Sequence, residues 1–133
     1  MQPSTRKPQE PPGPAARRPG KEAARNVRRE IRLLAAQAYE EELGRELTSL
    51  REAFAAWERG EITSGGLSDR IHEFHQGPAR ALWLRYNLRD RRPAAAYAIA
   101  SGILDPARVS PAVRAELFSL IESFAPEPPP NQG

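Results

Sequence analysis

The chain has 133 residues, of which 28% are charged, and a formal net charge of +3 at pH 7. It contains no cysteine, which excludes disulfides, thiol nucleophiles and zinc sites built from thiolates. No apolar run approaches the roughly 20 residues that a membrane-spanning helix needs, and the N-terminus lacks the hydrophobic segment of a secretory signal. The sequence therefore predicts a cytoplasmic protein that does not contact a membrane.

Proline is concentrated at the two ends of the chain. Of the 14 prolines, six lie in residues 1–19 and four in residues 126–130. Proline, charged and small polar residues bury too little apolar surface to offset the entropy lost on ordering. We therefore predict disordered Pro-rich tails over residues 1–20, where the tail is also basic, and 126–133. A single helical domain is predicted over residues 21–125.

The first element of the domain is a long helix over about residues 21–59. This segment has no proline and is rich in the helix formers Ala, Glu, Arg and Leu. Its later apolar residues are spaced 4, 3, 4 and 3 apart, which places them on one helical stripe. They are Leu43, Leu47, Leu50, Phe54 and Trp57. The stripe predicts a core seam. The longer step from Ala38 to Leu43 predicts either a bend or two halves that bury against different neighbours.

Four shorter helices follow along the chain. Thr63 or Ser64 can cap the first, and Gly77-Pro78 is expected to break the helical pattern after it. Ser110-Pro111 is a cap followed by proline at the first position of the last helix. The predicted bounds are about 64–76, 79–89, 93–101 and 111–124. The predicted fold class is all-α, with one long N-terminal helix packed against three or four shorter helices.

Both histidines lie just before the predicted break. His72 and His75 are three apart, and Asp69 is three before His72, so all three would share one helical face. Two imidazoles and a carboxylate are ligands of many zinc and iron sites, and a metal-assisted enzyme is one hypothesis for this face. The chain has no third histidine, and the spacing differs from that of metalloproteases. Local structural contacts and a pH-sensitive interface are the alternatives.

Five arginines follow within thirteen residues. They are Arg80, Arg85, Arg89, Arg91 and Arg92. The spacing of Arg85, Arg89 and Arg92 predicts that these three line one helical face, and Trp83 and Tyr86 are close in sequence. Arginine with aromatic side chains is typical of phosphate-backbone contacts and of protein interfaces. The alternative is a solvated face that pairs with acidic residues of the long helix.

Charge is unevenly distributed along the chain. Residues 1–32 carry nine Lys or Arg against three Glu, whereas residues 33–62 carry three Arg against seven Glu. A basic segment adds salt-dependent attraction to nucleic acid that is independent of base sequence. The basic N-terminal region and the arginine cluster together give the alternative hypothesis of a nucleic-acid-associated accessory protein.

The leading hypothesis is a small non-catalytic interaction or regulatory module that binds a macromolecular partner through the surface of residues 69–92. We expect the partner to be another protein, with a second copy of this chain as an alternative. The predicted contact residues are His72, His75, Arg80, Trp83, Arg85 and Arg89. The sequence contains no Gly-rich phosphate loop, nucleophile motif or cofactor fingerprint. We therefore predict no cofactor and no catalytic residue.

Overall fold

The computed structural model describes residues 19–125, and within them the all-α fold is confirmed. Five α-helices form its framework: α1 (Pro19–Glu58), α2 (Ser64–Phe74), α3 (Arg80–Tyr86), α4 (Arg92–Ala100) and α5 (Pro111–Phe124). A π-helical turn, His75–Ala79, joins α2 to α3, and a 3₁₀ turn, Pro106–Arg108, precedes α5. The predicted tails lie outside the described residues, except that Pro19 and Gly20 already belong to α1.

The long helix α1 packs against different neighbours in its two halves. Its 40 residues extend about 60 Å at 1.5 Å per residue. In the first half, Ile31 packs against α4 and α5, and Ala38 packs against α3 and α4. The second half contacts α2, and the indole Nε1 of Trp57 donates to Ser64 Oγ at 3.0 Å. This division explains the change of phase in the apolar pattern after Ala38.

Alanine fills the contact between α1 and α4. The alanines with no exposed surface are Ala35, Ala38, Ala95, Ala96 and Ala98. Side chains this small let two helices approach closely, since interaxial distance depends on the residues at the contact. The largest fully buried side chains are Tyr86, Val113 and Leu117, which close the core from α3 and α5.

The helix does not break at Gly77 and Pro78, contrary to the sequence-based prediction. A π-helical turn over His75–Ala79 carries the chain through both residues. Such a turn holds an extra residue, which shifts the hydrogen-bond ladder and accommodates the ring and the missing N–H of Pro78. The N–H of Arg80 then donates to the carbonyl of Gly77. Residues 64–86 are consequently one continuous helix.

The third helix, α3, ends at Tyr86, earlier than the predicted end at about residue 89. The backbone N–H and the side-chain amide of Asn87 both donate to the carbonyl of Trp83, at 3.0 and 2.9 Å. The next helix, α4, begins only at Arg92. Because Arg85, Arg89 and Arg92 lie on different elements, the prediction that they share one helical face is wrong.

The apolar stripe on the second half of α1 is largely exposed. Leu47 is 47% exposed, and Phe54 and Trp57 are each 40% exposed. Helix α2 has only 11 residues and packs along one side of this half, so the other side of the stripe stays open to solvent. The predicted core seam is therefore wrong for these three residues. Ala53, off the predicted stripe, is the one that is buried there.

Candidate functional site

An apolar groove lies between the middle of α1 and the continuous helix of residues 64–86. Its volume is about 650 Å³. The lining residues are Tyr39, Leu43, Leu47, Phe74, His75, Gln76, Ala79, Arg80, Trp83 and Leu84. Most of these side chains are apolar or aromatic, while His75, Gln76 and Arg80 are polar or charged. Such a composition suits an apolar ligand surface with a few polar contacts that fix its orientation.

The π-helical turn builds one wall of the groove. Phe74 precedes the turn and Trp83 follows it, nine residues later. In an uninterrupted α-helix of 3.6 residues per turn, residues nine apart lie on roughly opposite faces. The extra residue of the π-helical turn rotates the later part of the helix back, so that both aromatic side chains line the same groove.

Apolar surface continues beyond the groove along both walls. Phe54 lies on α1, two turns after Leu47 of the first wall. Ile71 lies on α2, one turn before His75 of the second wall. Both side chains are exposed. Phe54 lies about 10 Å beyond Leu47 along α1 at 1.5 Å per residue. Exposed apolar side chains next to an apolar groove are typical of an interaction site.

Three of the six predicted contact residues meet at this groove, and they are His75, Arg80 and Trp83. Trp83 is 56% exposed although it lies in the wall of a groove. His72 is exposed close to His75 but does not line the groove. The other two predicted contacts, Arg85 and Arg89, lie elsewhere on the molecule.

Arg85 connects three helices. Its Nη1 is 3.4 Å from Oε2 of Glu42 on α1, and its guanidinium carbon is 4.3 Å from the centre of the Tyr97 ring on α4. The Glu42 side chain is only 16% exposed. An ion pair of this kind and a cation–π contact stabilise the packing of α3. These contacts favour the structural interpretation of Arg85, in which it pairs with the acidic half of α1.

Arg89 lines a second pocket of about 670 Å³ near the start of α1. Arg91 and Arg92 from the junction of α3 and α4 line the same pocket, together with Arg28 and Arg32 from α1. The two basic segments of the sequence, which are separated by some 50 residues, therefore meet in the fold.

The Asp69, His72 and His75 side chains are all exposed. Within residues 19–125 there is no group of three or more acidic or histidine side chains that could hold a metal ion. The hypothesis of a metal-assisted enzyme at these residues therefore has no ligand set in this part of the chain.

Asp90 and Tyr86 have pKa values away from their usual range. Hydrogen bonds from the side chain of Arg92, at 3.0 Å, and from its backbone N–H hold the pKa of Asp90 low. Burial raises the pKa of Tyr86, and the Glu42 carboxylate raises it further, first as an acceptor near the hydroxyl and then through its negative charge. The Tyr86 hydroxyl is buried and makes no hydrogen bond within the described residues.

The wall of the groove that α1 forms was not predicted from the sequence. Leu47, expected in a core seam, lines the groove instead, and Leu43 both lines the groove and packs against the core. Leu84 lines the opposite wall, on α3. The change of phase after Ala38 was the available signal, because it shows that the later stripe does not continue the buried stripe of the first half.

No protein-family model matches the chain, and no curated protein or solved structure matches it. Among the helices of residues 19–125, none combines the length and the apolar character that crossing a bilayer requires.

Proposed function

We propose that this chain is a small non-catalytic interaction module that binds a partner protein through the apolar groove. The occupant is an amphipathic helix of the partner, with its apolar stripe against Trp83 and an acidic side chain near Arg80. The observation that carries the proposal is an exposed apolar groove with a half-exposed tryptophan in its wall. Amphipathic helices commonly bind in grooves of this kind.

Trp83 is the expected anchor of the interface. Because it is 56% exposed, a partner can remove roughly 100 Å² of its surface from water. At about 25 cal/mol per Å² this burial contributes roughly 2–3 kcal/mol, which is the size of an interface hot spot. Tryptophan and arginine are both enriched in such hot spots, and both line this groove.

Arg80 determines the charge expected on the partner. Its side chain is exposed and forms no ion pair with a carboxylate of residues 19–125. Arg85, in contrast, already pairs with Glu42. Complementary charge fixes register and orientation across an interface. We therefore expect an acidic residue beside the apolar stripe of the partner helix.

The test compares a groove variant with a matched surface variant. Trp83→Glu places a charge in the groove wall, and Phe118→Glu places the same charge on α5, at a side chain that is 62% exposed and outside the groove. Proteins captured from an extract of the source cells by the wild type are purified, and their affinities for the three chains are measured by calorimetry. We expect Trp83→Glu to weaken binding at least about 30-fold, the equivalent of a 2 kcal/mol hot spot, and Phe118→Glu to retain it.

A further variant tests the acidic contact. Arg80→Glu should also weaken binding, and replacing the facing acid of the partner by lysine should restore part of the affinity. Equal binding by the wild type and Trp83→Glu would contradict the proposal. If sedimentation shows a dimer that Trp83→Glu dissociates, the occupant is a second copy of this chain and the partner-helix proposal is overturned.

A further inference from the structure

The second pocket carries a concentration of positive charge that the apolar groove does not use. Five arginines line it, and the two carboxylates in its lining are Asp90 and Glu116. Arg92 pairs with both carboxylates, with its Nη2 at 3.0 Å from Asp90 and its Nη1 at 3.6 Å from Glu116. One arginine therefore already faces both acids of the pocket.

Three of the remaining arginines are available to a ligand. Arg91 Nη1 donates to the backbone carbonyl of Tyr86, which fixes that side chain. Arg28, Arg32 and Arg89 are exposed, and none forms an ion pair with a carboxylate of residues 19–125. The lining as a whole keeps a net charge of +3, from five arginines and two acids.

The positive charge extends from the pocket along one face of α1. Lys21, Arg25, Arg28 and Arg32 are spaced 4, 3 and 4 apart, so they form a single stripe about 16 Å long. Glu22 and Glu30, the acids of this part of the helix, lie roughly a quarter turn and half a turn away from the stripe. Glu30 accepts a hydrogen bond from the N–H of Ser110 at 2.9 Å. Both acids therefore lie off the basic stripe.

We infer that this basic face, the stripe on α1 together with the second pocket, binds the phosphate backbone of a nucleic acid. A linear row of cations suits an extended polyanion better than a compact anion, and each neutralised phosphate releases condensed counterions. Arginine also suits phosphate because its planar donors can contact two oxygens at once. Among residues 19–125, no aromatic side chain lines the pocket, so we expect no base stacking there and binding that is independent of base sequence. This surface is separate from the apolar groove, and the inference does not rest on the proposed partner helix.

The test removes two charges from the basic face and two from elsewhere on the same helix. Arg28→Gln with Arg32→Gln changes the pocket, whereas Arg29→Gln with Arg51→Gln makes the same change in net charge outside it. Binding of a fluorescent DNA duplex of about 20 base pairs is followed by anisotropy between about 50 and 200 mM salt. We expect the slope of log affinity against log salt to flatten by about 1–2 units in the pocket variant and much less in the control. All four side chains are exposed, so both double variants should melt like the wild type.

Competition by tripolyphosphate and by polyglutamate, each compared with unlabelled duplex, identifies the chemistry of the ligand. At equal concentration of negative charge, unlabelled duplex should displace the probe well, and tripolyphosphate and polyglutamate should displace it poorly. Equal displacement by tripolyphosphate would overturn the nucleic-acid assignment in favour of a compact phosphate site. Equal displacement by polyglutamate would also overturn that assignment, because carboxylates would then be sufficient for binding to the basic face. Absence of duplex binding at about 50 mM salt, or equal effects of the two double variants, would overturn the inference altogether.

Discussion

The two halves of α1 have similar apolar patterns but very different surroundings. In the first half, Ala35 and Ala38 have no exposed surface, because α3, α4 and α5 cover this side of the helix. In the second half, Phe54 and Trp57 are each 40% exposed beside the short helix α2. Smaller side chains are thus fully buried at one end, while larger ones are left partly in water at the other.

A helical stripe predicts which side of a helix is apolar but not whether that side is covered. Spacing of 3 and 4 tells which side of a helix is apolar, because it follows the 3.6-residue turn. It does not tell how many neighbours are present to cover that side. In this chain the uncovered stripe adjoins the groove, so the same pattern that stabilises the fold at one end offers a binding surface at the other.

The largest effect is expected where the core is complete. Leu117 on α5 has no exposed surface, and Leu117→Ala should lower the free energy of unfolding by about 3–5 kcal/mol because a cavity remains. Urea denaturation followed by circular dichroism measures the change. A loss below about 1 kcal/mol would show that this end of the molecule is loosely packed and would remove the contrast between the two halves.

A smaller effect is expected on the open half. Phe54→Ala should cost about 1–2 kcal/mol, because the exposed part of the ring gains little from folding. The same urea experiment applies, with Leu117→Ala as the reference. A loss of 3 kcal/mol or more, especially one that grows with protein concentration, would mean that another copy covers this stripe in solution.

Local signals predicted several helix ends well, although not the continuity through Gly77 and Pro78 or the end of α3. Ser110 Oγ accepts from the N–H of Val113 at 3.2 Å, and Thr63 Oγ1 accepts from the N–H of Gly66 at 3.0 Å, as expected of N-terminal caps. Gly60 adopts φ of 76°, the left-handed conformation that glycine favours at the end of a helix. Each of these features depends on residues within a few positions, so the sequence alone was sufficient.

The candidate surfaces could be predicted only in part. His75, Arg80 and Trp83 were recognisable because charged, polar and aromatic residues cluster near Gly77-Pro78. Their meeting at one groove required the π-helical turn, which proline alone does not specify, since a break was the simpler expectation. The basic pocket joins segments that are distant in sequence, and only the packing of α1 against α4 and α5 brings them together.

The smallest effect concerns a buried hydroxyl at the boundary between the two halves. Tyr86 is 1% exposed, and its hydroxyl makes no hydrogen bond within the described residues. Tyr86→Phe removes that unsatisfied group and keeps the ring in place. We expect the free energy of unfolding at pH 8 to change by less than about 1 kcal/mol, with a gain rather than a loss.

The same substitution should change how stability depends on alkaline pH. Burial raises the pKa of Tyr86 above its unfolded value of about 10. A group whose pKa is raised on folding contributes stability that is fully present below the unfolded pKa and is lost as pH rises through the folded one. The wild type should therefore lose more stability than Tyr86→Phe between about pH 9 and pH 11. Parallel pH profiles would show that the hydroxyl is solvated in the folded protein and that its pKa is not raised on folding. A loss above about 1 kcal/mol at pH 8 would show that the hydroxyl is hydrogen-bonded in the folded protein.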